Sequence, residues 1–460
     1  MTDPTERPAA LRPRDLVIPL GVGVALRLLF VVSFLGTDLA GDERAYSRLG
    51  GAWHEFGAYT GIWAPLYARA FAVVHALVGD AAPDAMRFLH LGLAVWIGAW
   101  TARIAAMFGG RRAGVAAAWV YALYLPLAGY CALLFSETVF LSLFVPAIHQ
   151  LLRLAREGRA QAPWWRAPLA GSLVGLAALT RESTALFVVP CALWIAFALR
   201  GPRPALWTAA SFALTAALCV LPWTIRNLHT FGTFVPVGIS AGANSFVGWN
   251  AYDANFDLAG LTPTLEEAPG RIRKAIRGAA PEPWVSLTEG NDAHRSRANV
   301  ELGLSFSAEH PVFFARGRIV EFVDLLSPLS YPVRSMRLVD VGQPLASVRP
   351  VVAVLTILCV PLLLLMALQG WATARHAGPL RSLAATMVLC TSAVALVNGI
   401  SRYRLPLVPV LIALAALYMS GAREAPTAAT RRVRLVVAVV LVLAWIPSLE
   451  PTLLSLAALM

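Results

Sequence analysis

The chain has 460 residues, of which 58% are hydrophobic and 14% charged, with a mean hydropathy of +0.65. Soluble domains average about 45–50% apolar and about 25% charged residues, so a soluble globular protein is excluded. The net charge of +12 is carried by arginine, with Lys274 the single lysine. These arginines fall mainly in short loops between apolar runs, which excludes a nucleic-acid binder and fits a polytopic membrane protein. The five cysteines, Cys131, Cys191, Cys219, Cys359 and Cys390, lie in or beside apolar runs without metal-type spacing and read as small core residues.

In chain order, the N-terminus has a basic start and a long apolar stretch with no small-residue cleavage site, which predicts an uncleaved first span. Eleven spans are predicted, near 15–36, 85–107, 112–131, 134–152, 167–180, 183–199, 206–224, 350–369, 379–400, 405–421 and 433–450. Most reach the length needed to cross about 30 Å of hydrocarbon at 1.5 Å per residue. Arg12 and Arg14, Arg111 and Arg112, Arg153 to Arg166, Arg200 and Arg203, Arg375 and Arg381, and Arg431 to Arg434 mark one side. By the positive-inside rule that side is cytoplasmic, and so is the N-terminus. Two insertions fall on the other side. Residues 37–84 combine a polar start with the amphipathic "PLYARAFAVVHALVG", expected at the interface. Residues 225–349 form a long loop whose "PVFFARGRIVEFVDLL", 311–326, reads as an amphipathic or re-entrant helix. No repeat or low-complexity segment interrupts what is expected to be a single all-α membrane domain over 1–460.

Charge at membrane depth costs about 2.5–3.5 kcal/mol per central Arg or Asp on insertion scales, so each instance asks for a reason. Here acids and bases gather at the outer ends of different spans. Asp42 and Glu43 follow the first, with Tyr46 one helical turn beyond Asp42; Glu137 begins the fourth. Arg181 and Glu182 separate the fifth and sixth, Arg226 and Asn227 follow the seventh, and Arg402, Tyr403 and Arg404 precede the tenth. That set suits an anionic, membrane-borne substrate. Each member also has a bland alternative. Asp42 and Glu43 could be solvated loop carboxylates, Glu137 a helix cap, Arg181 and Glu182 a local ion pair, and Arg402 and Arg404 interfacial anchors. Asp42, Glu43, His54 and Glu55 could hold a divalent metal, though nothing in the spacing demands it. Arg27, deep in the first span, should satisfy carbonyls or a carboxylate inside the bundle.

The motifs resemble a known class. "GDERAY" is similar to the acidic motif of GT-C membrane glycosyltransferases, particularly the branch of lipid A aminoarabinose transferases and protein O-mannosyltransferases. "WAPLYARAFAVVHALVGD", "LLFSETVFLSLF", "LAALTRESTALFVVP", "LPWTIRNLHTFGTFVPVG" and "SRYRLPLVPVL" resemble further elements of that class, in order, over most of residues 15–420. The resemblance implies a polyprenyl-phosphate sugar donor, a lipid, glycan or protein acceptor, a bacterial cytoplasmic (inner) membrane and an extracytoplasmic active site. On that reading Asp42, Glu43 and Glu137 are catalytic, and Arg181, Arg226, Arg402 and Arg404 bind the donor phosphate. Tyr46, Glu182, Asn227 and Tyr403 contact substrate. Unlike the larger oligosaccharyltransferases, the chain is expected to carry no soluble domain after its last span, and metal dependence stays open. The alternatives are a lipid-linked-sugar flippase or transporter, which would favour midplane charges and internal symmetry, and a polysaccharide ligase or polymerase.

Overall fold

The computed structural model describes residues 10–56, 63–158, 161–199, 202–238, 304, 308, 311–338, 341–396, 399–421, 427–449, 453, 454 and 457. Most of the predicted long loop, 239–303 above all, lies outside the described residues. The elements are α1 (Arg14–Ser33), α2 (Gly41–Phe56), α3 (Pro65–Val78), α4 (Ala82–Leu123), α5 (Leu125–Ala132), α6 (Glu137–Glu157), α7 (Arg166–Ala178), α8 (Val188–Ala198) and α9 (Pro202–Phe231). After the break come α10 (Pro311–Leu326), α11 (Tyr331–Leu338), α12 (Leu345–Thr373), α13 (Gly378–Ala395), α14 (Val408–Met419) and α15 (Ala428–Trp445). Short 3-10 turns at Glu182–Phe187 and Ser401–Leu407 lead into α8 and α14.

A helix stands at each of the eleven predicted intervals. Seven helical stretches among the described residues are long and apolar enough to cross a membrane, so this is a multi-pass membrane protein. One of the seven, Pro65–Leu123, includes two predicted spans, because α4 folds back at Gly110, where φ 66° and ψ −161° leave the helical region. Sequence periodicity sets which face is buried. On α9, Ala205, Thr208, Ala209, Phe212 and Ala216 point inward, while Leu206, Trp207, Leu214 and Leu218 are more than half exposed. Such an apolar exterior is stable only against lipid tails. α7 packs on that inner face through Gly171 and Gly175: a Cβ on either would sit 2.1 or 2.5 Å from the carbonyls of Phe212 and Ala216.

Away from water, the last carbonyls of a helix need donors from elsewhere, and buried arginines supply them. α4 ends at Tyr124, and Pro126 has no N–H for the Ala122 carbonyl. Arg27, 1% exposed, donates to that carbonyl at 3.3 Å and to Tyr121 O at 3.1 Å, with its guanidinium 4.4 Å from the Tyr121 ring centroid. Carbonyls inside the bundle are thus the partners of Arg27. At the end of α5, Arg87 Nε donates to Ala132 O at 2.9 Å. At the end of α10, Arg404 donates to Leu325 O and Ser327 O. At the end of α13, Arg318 donates to Leu396 O.

Replacing Arg27 by Leu keeps bulk but strips the helix end of its donor. The loss should be about 1–3 kcal/mol, read as a lowered melting temperature of the purified protein.

Candidate functional site

The 3-10 turn Ser401–Leu407 brings Arg402 into a ring of side chains drawn from distant parts of the chain. Arg402 Nη1 donates to Asp42 at the first turn of α2, and its Nε lies 3.9 Å from Glu137 Oε1 at the first residue of α6. The other partner of Glu137 is Arg181, hydrogen-bonded to the same oxygen. Aromatic rings wall the cluster. The Arg402 guanidinium is 5.4 Å from the centroid of Tyr331 and 5.9 Å from those of Phe135 and Tyr403, and Arg181 lies 5.2 Å from Tyr403. The carboxylates suit these places, since both open a helix where the dipole favours negative charge.

Two features of the cluster bear on what it could bind. Glu137 is 1% exposed and Arg402 Nε is buried without a hydrogen-bond partner. A guanidinium N–H that makes no hydrogen bond is a donor that an anionic oxygen could take up.

Glu43 points the other way. It is 3% exposed, accepts the Leu134 backbone N–H at 2.9 Å and lies 3.8 Å from Arg87 Nη2. Burial raises its carboxyl above the ordinary range, opposed by that N–H and by Arg87. Arg87 in turn holds Ala132 O and pairs with Asp84 at 2.7 Å. Glu43 and Arg87 therefore grip the irregular segment between α5 and α6, whose next residues present Phe135, Ser136 and Glu137. Tyr46 is buried, 4.6 Å from Trp63 and 4.7 Å from Tyr67 by ring centroids. Burial raises its phenol above the ordinary range.

The structure brings Asp42, Glu137, Arg181, Arg402 and Tyr403 together, with Tyr46 alongside and Glu182 next to Arg181 at the start of its 3-10 turn. Besides Glu43, three predicted residues have other partners. Arg226 lies over the Trp223 and Phe231 rings and donates to Asn227 Oδ1 at 3.1 Å. Asn227 is 1% exposed and spends its amide on Val235 O and Val237 O, both at 3.1 Å, pinning the chain that returns from α9. Arg404, expected on phosphate, faces inward to its two carbonyls. Among the described residues no three His, Cys, Asp or Glu side chains gather as a metal would need. Asp42 and Glu43 diverge, and His54 and Glu55 are exposed, with His54 edge-on to His75 at 5.3 Å. Sequence reasoning missed Arg87, Phe135 and Tyr331. The charge of Arg87 inside a predicted apolar run was a signal that could have found it.

The bundle shares its fold with solved oligosaccharyltransferase structures. No protein-family model matches the chain, and no curated protein matches it significantly. Solved structures do. The archaeal oligosaccharyltransferase AglB from Archaeoglobus fulgidus, in complex with an inhibitory peptide and a dolichol-phosphate, matches with TM-score 0.52 at 14% identity, over 97% of this chain and 55% of that one. Its apo form gives 0.51 at 15% identity over the same shares. ArnT from Cupriavidus metallidurans bound to undecaprenyl phosphate matches at 0.37 and 13% identity, over 88% and 78%, a score that carries no argument. The chain thus spans about half the length of the oligosaccharyltransferase chains it matches, 55%.

The turn carrying Arg402 is held against α10 at Gly399, whose N–H donates to Glu321; a Cβ there would meet the Glu321 carbonyl at 1.8 Å. Gly399→Ala should separate the two elements, costing about 1–3 kcal/mol by overpacking. A melting temperature equal to the parent's would show that this contact does not hold the turn.

Proposed function

We propose that the protein is a membrane glycosyltransferase that moves a sugar from a polyprenyl-phosphate donor to a hydroxyl on an extracytoplasmic lipid, glycan or protein. The observation that carries this reading is the Asp42–Arg402–Glu137–Arg181 cluster, with the buried Arg402 Nε–H making no hydrogen bond. The solved neighbour's complex with a dolichol-phosphate accords with a polyprenol phosphate as the carrier.

The reaction is displacement at the anomeric carbon. The acceptor oxygen forms the new bond as the bond to the phosphate oxygen breaks, and the acceptor proton passes to a carboxylate. Asp42 is the base. In this structure it is tied to Arg402, which occupies one of its carboxylate oxygens. A donor phosphate that takes over Arg402 both finds its counter-charge and releases Asp42, so binding and activation are one exchange. The leaving phosphate needs no acid, only positive charge, which Arg402 and Arg181 supply by charge-assisted hydrogen bonds. Glu137 orients the two guanidinium groups. Glu43, turned to the backbone, positions the segment that carries Glu137 and does not touch the substrate.

Asp42→Asn removes the basic lone pair. Transfer from a defined polyprenyl-phosphate sugar in reconstituted membranes should fall about 10²–10⁴-fold, while donor affinity holds or rises because Arg402 loses its competitor. Arg402→Ala should weaken donor binding and turnover together. Normal turnover by Asp42→Asn would remove Asp42 as the base.

The proposed sidedness has its own test. A cysteine at the exposed Glu55 should react with a membrane-impermeant thiol reagent in intact cells, and one at Gly158 should not. The reverse pattern would put the cluster on the cytoplasmic side and remove a lipid-linked donor from the reading.

A further inference from the structure

A second charged cluster plays no part in that reaction. Along α4, Trp96, Trp100 and Arg103 recur at i, i+4 and i+7 and share one face. Along α6, Ser142, His149 and Arg153 form a stripe at i, i+7 and i+11. Two rungs join the stripes. The Trp96 indole N–H donates to Ser142 O at 3.0 Å, and Trp100 meets His149 edge to face at 4.7 Å between centroids. One turn further along each helix stand the arginines, with Arg103 lying 4.9 Å over the Trp100 ring. Sixteen residues separate Arg87 from Arg103 and Glu137 from Arg153. At 1.5 Å per residue that is about 24 Å, most of the way across about 30 Å of hydrocarbon from the candidate site.

Charge and hydrogen bonding are both unbalanced at this end. Arg153 and Arg166 share one carboxylate, Glu157, and Arg103 adds a further cation. His149 is 8% exposed and its Nδ1 has no hydrogen-bond partner. The buried indole N–H of Trp100 and the Nε–H of Arg166 have none either. The positive-inside rule explains arginines in loops, but not unsatisfied Trp, His and Arg nitrogens gathered beside them. The Trp stripe also continues onto the apolar exterior, where Val95 is 37% and Trp96 47% exposed.

We propose that this cluster binds the phosphate headgroup of an anionic phospholipid in the leaflet opposite the candidate site, with an acyl chain lying along Trp96 and Val95. Arg103 and Arg153 meet the phosphate, and the unpaired nitrogens beside them gain an acceptor. The inference does not depend on the glycosyltransferase reading.

The test uses the full chain in detergent, with lipid retention read by native mass spectrometry. Phosphatidylglycerol is the probe, phosphatidylcholine the zwitterionic control and inorganic phosphate the tail-free one. Phosphatidylglycerol should be retained in preference to phosphatidylcholine and withstand millimolar phosphate. The double variant Arg103→Gln, Arg153→Gln should weaken retention about 30-fold, from the usual contribution of two basic residues near an anionic surface. Arg103→Lys with Arg153→Lys should keep the selectivity, and Arg14→Gln with Arg112→Gln, exposed at the same end, should leave retention unchanged. Equal losses from both Gln pairs would mean diffuse surface charge and overturn the proposal. Displacement by inorganic phosphate would overturn it too, because the ligand would then be a free anion. Should the double variant fail to fold, Arg103→Gln alone, at an exposed side chain, carries the same comparison.

Discussion

The site depends on one guanidinium. Arg402 ties residue 42 to residue 402 through Asp42 and reaches Glu137, itself held by Arg181, so the first, fourth, fifth and tenth predicted spans meet through it. Buried ion pairs contribute little net stability, because desolvation offsets most of the attraction. Well-packed apolar side chains would hold these helix ends together as well. Two acids and two bases at one partly buried place are therefore what the proposed exchange of charged partners requires. An anionic ligand can enter by exchanging one carboxylate partner for another without exposing a bare cation.

Elsewhere the arginines do a different job. Arg27, Arg87, Arg318 and Arg404 sit at the ends of α4, α5, α13 and α10, donating to carbonyls that no helical N–H reaches. This is why the bundle tolerates so many broken helices. In a lipid setting an unsatisfied carbonyl is expensive, and a long side chain with several N–H donors from a neighbouring helix is an effective substitute for water. Arg87 joins the two roles, since the loop end it caps is the one that delivers Glu137. Glu43, on the same loop through Leu134, is part of that support.

Much of this was legible in the sequence, and what failed has a common cause. Hydropathy and loop arginines place residues by depth along the membrane normal. They located the eleven apolar intervals at which helices stand and the span ends from which Asp42, Glu137, Arg181 and Arg402 meet, but not the helices Gly41–Phe56 and Tyr331–Leu338. Depth says nothing about direction around a helix axis. Arg404 is two residues from Arg402 and at nearly the same depth, yet it faces α10 while Arg402 faces α2 and α6. Arg226 lies over the Trp223 and Phe231 rings, which its place after the seventh span does not foretell. Glu43 follows Asp42 directly, and neighbours in a helix stand about 100° apart, so one acid reaches Arg402 while the other turns to Arg87 and Leu134. The adjacent pair read as one acidic unit and is two. The fold-back at Gly110 and the loss of a donor at Pro126 were readable in principle, since Gly and Pro punctuate helices wherever they fall.

A structure of the protein with a polyprenyl phosphate bound tests the central claim most directly. The account predicts the phosphate within hydrogen-bond distance of Arg402, the Asp42–Arg402 contact opened, and the Asp42 carboxylate facing the space an acceptor hydroxyl would fill. A phosphate bound elsewhere, with Asp42 and Arg402 still joined, would contradict it.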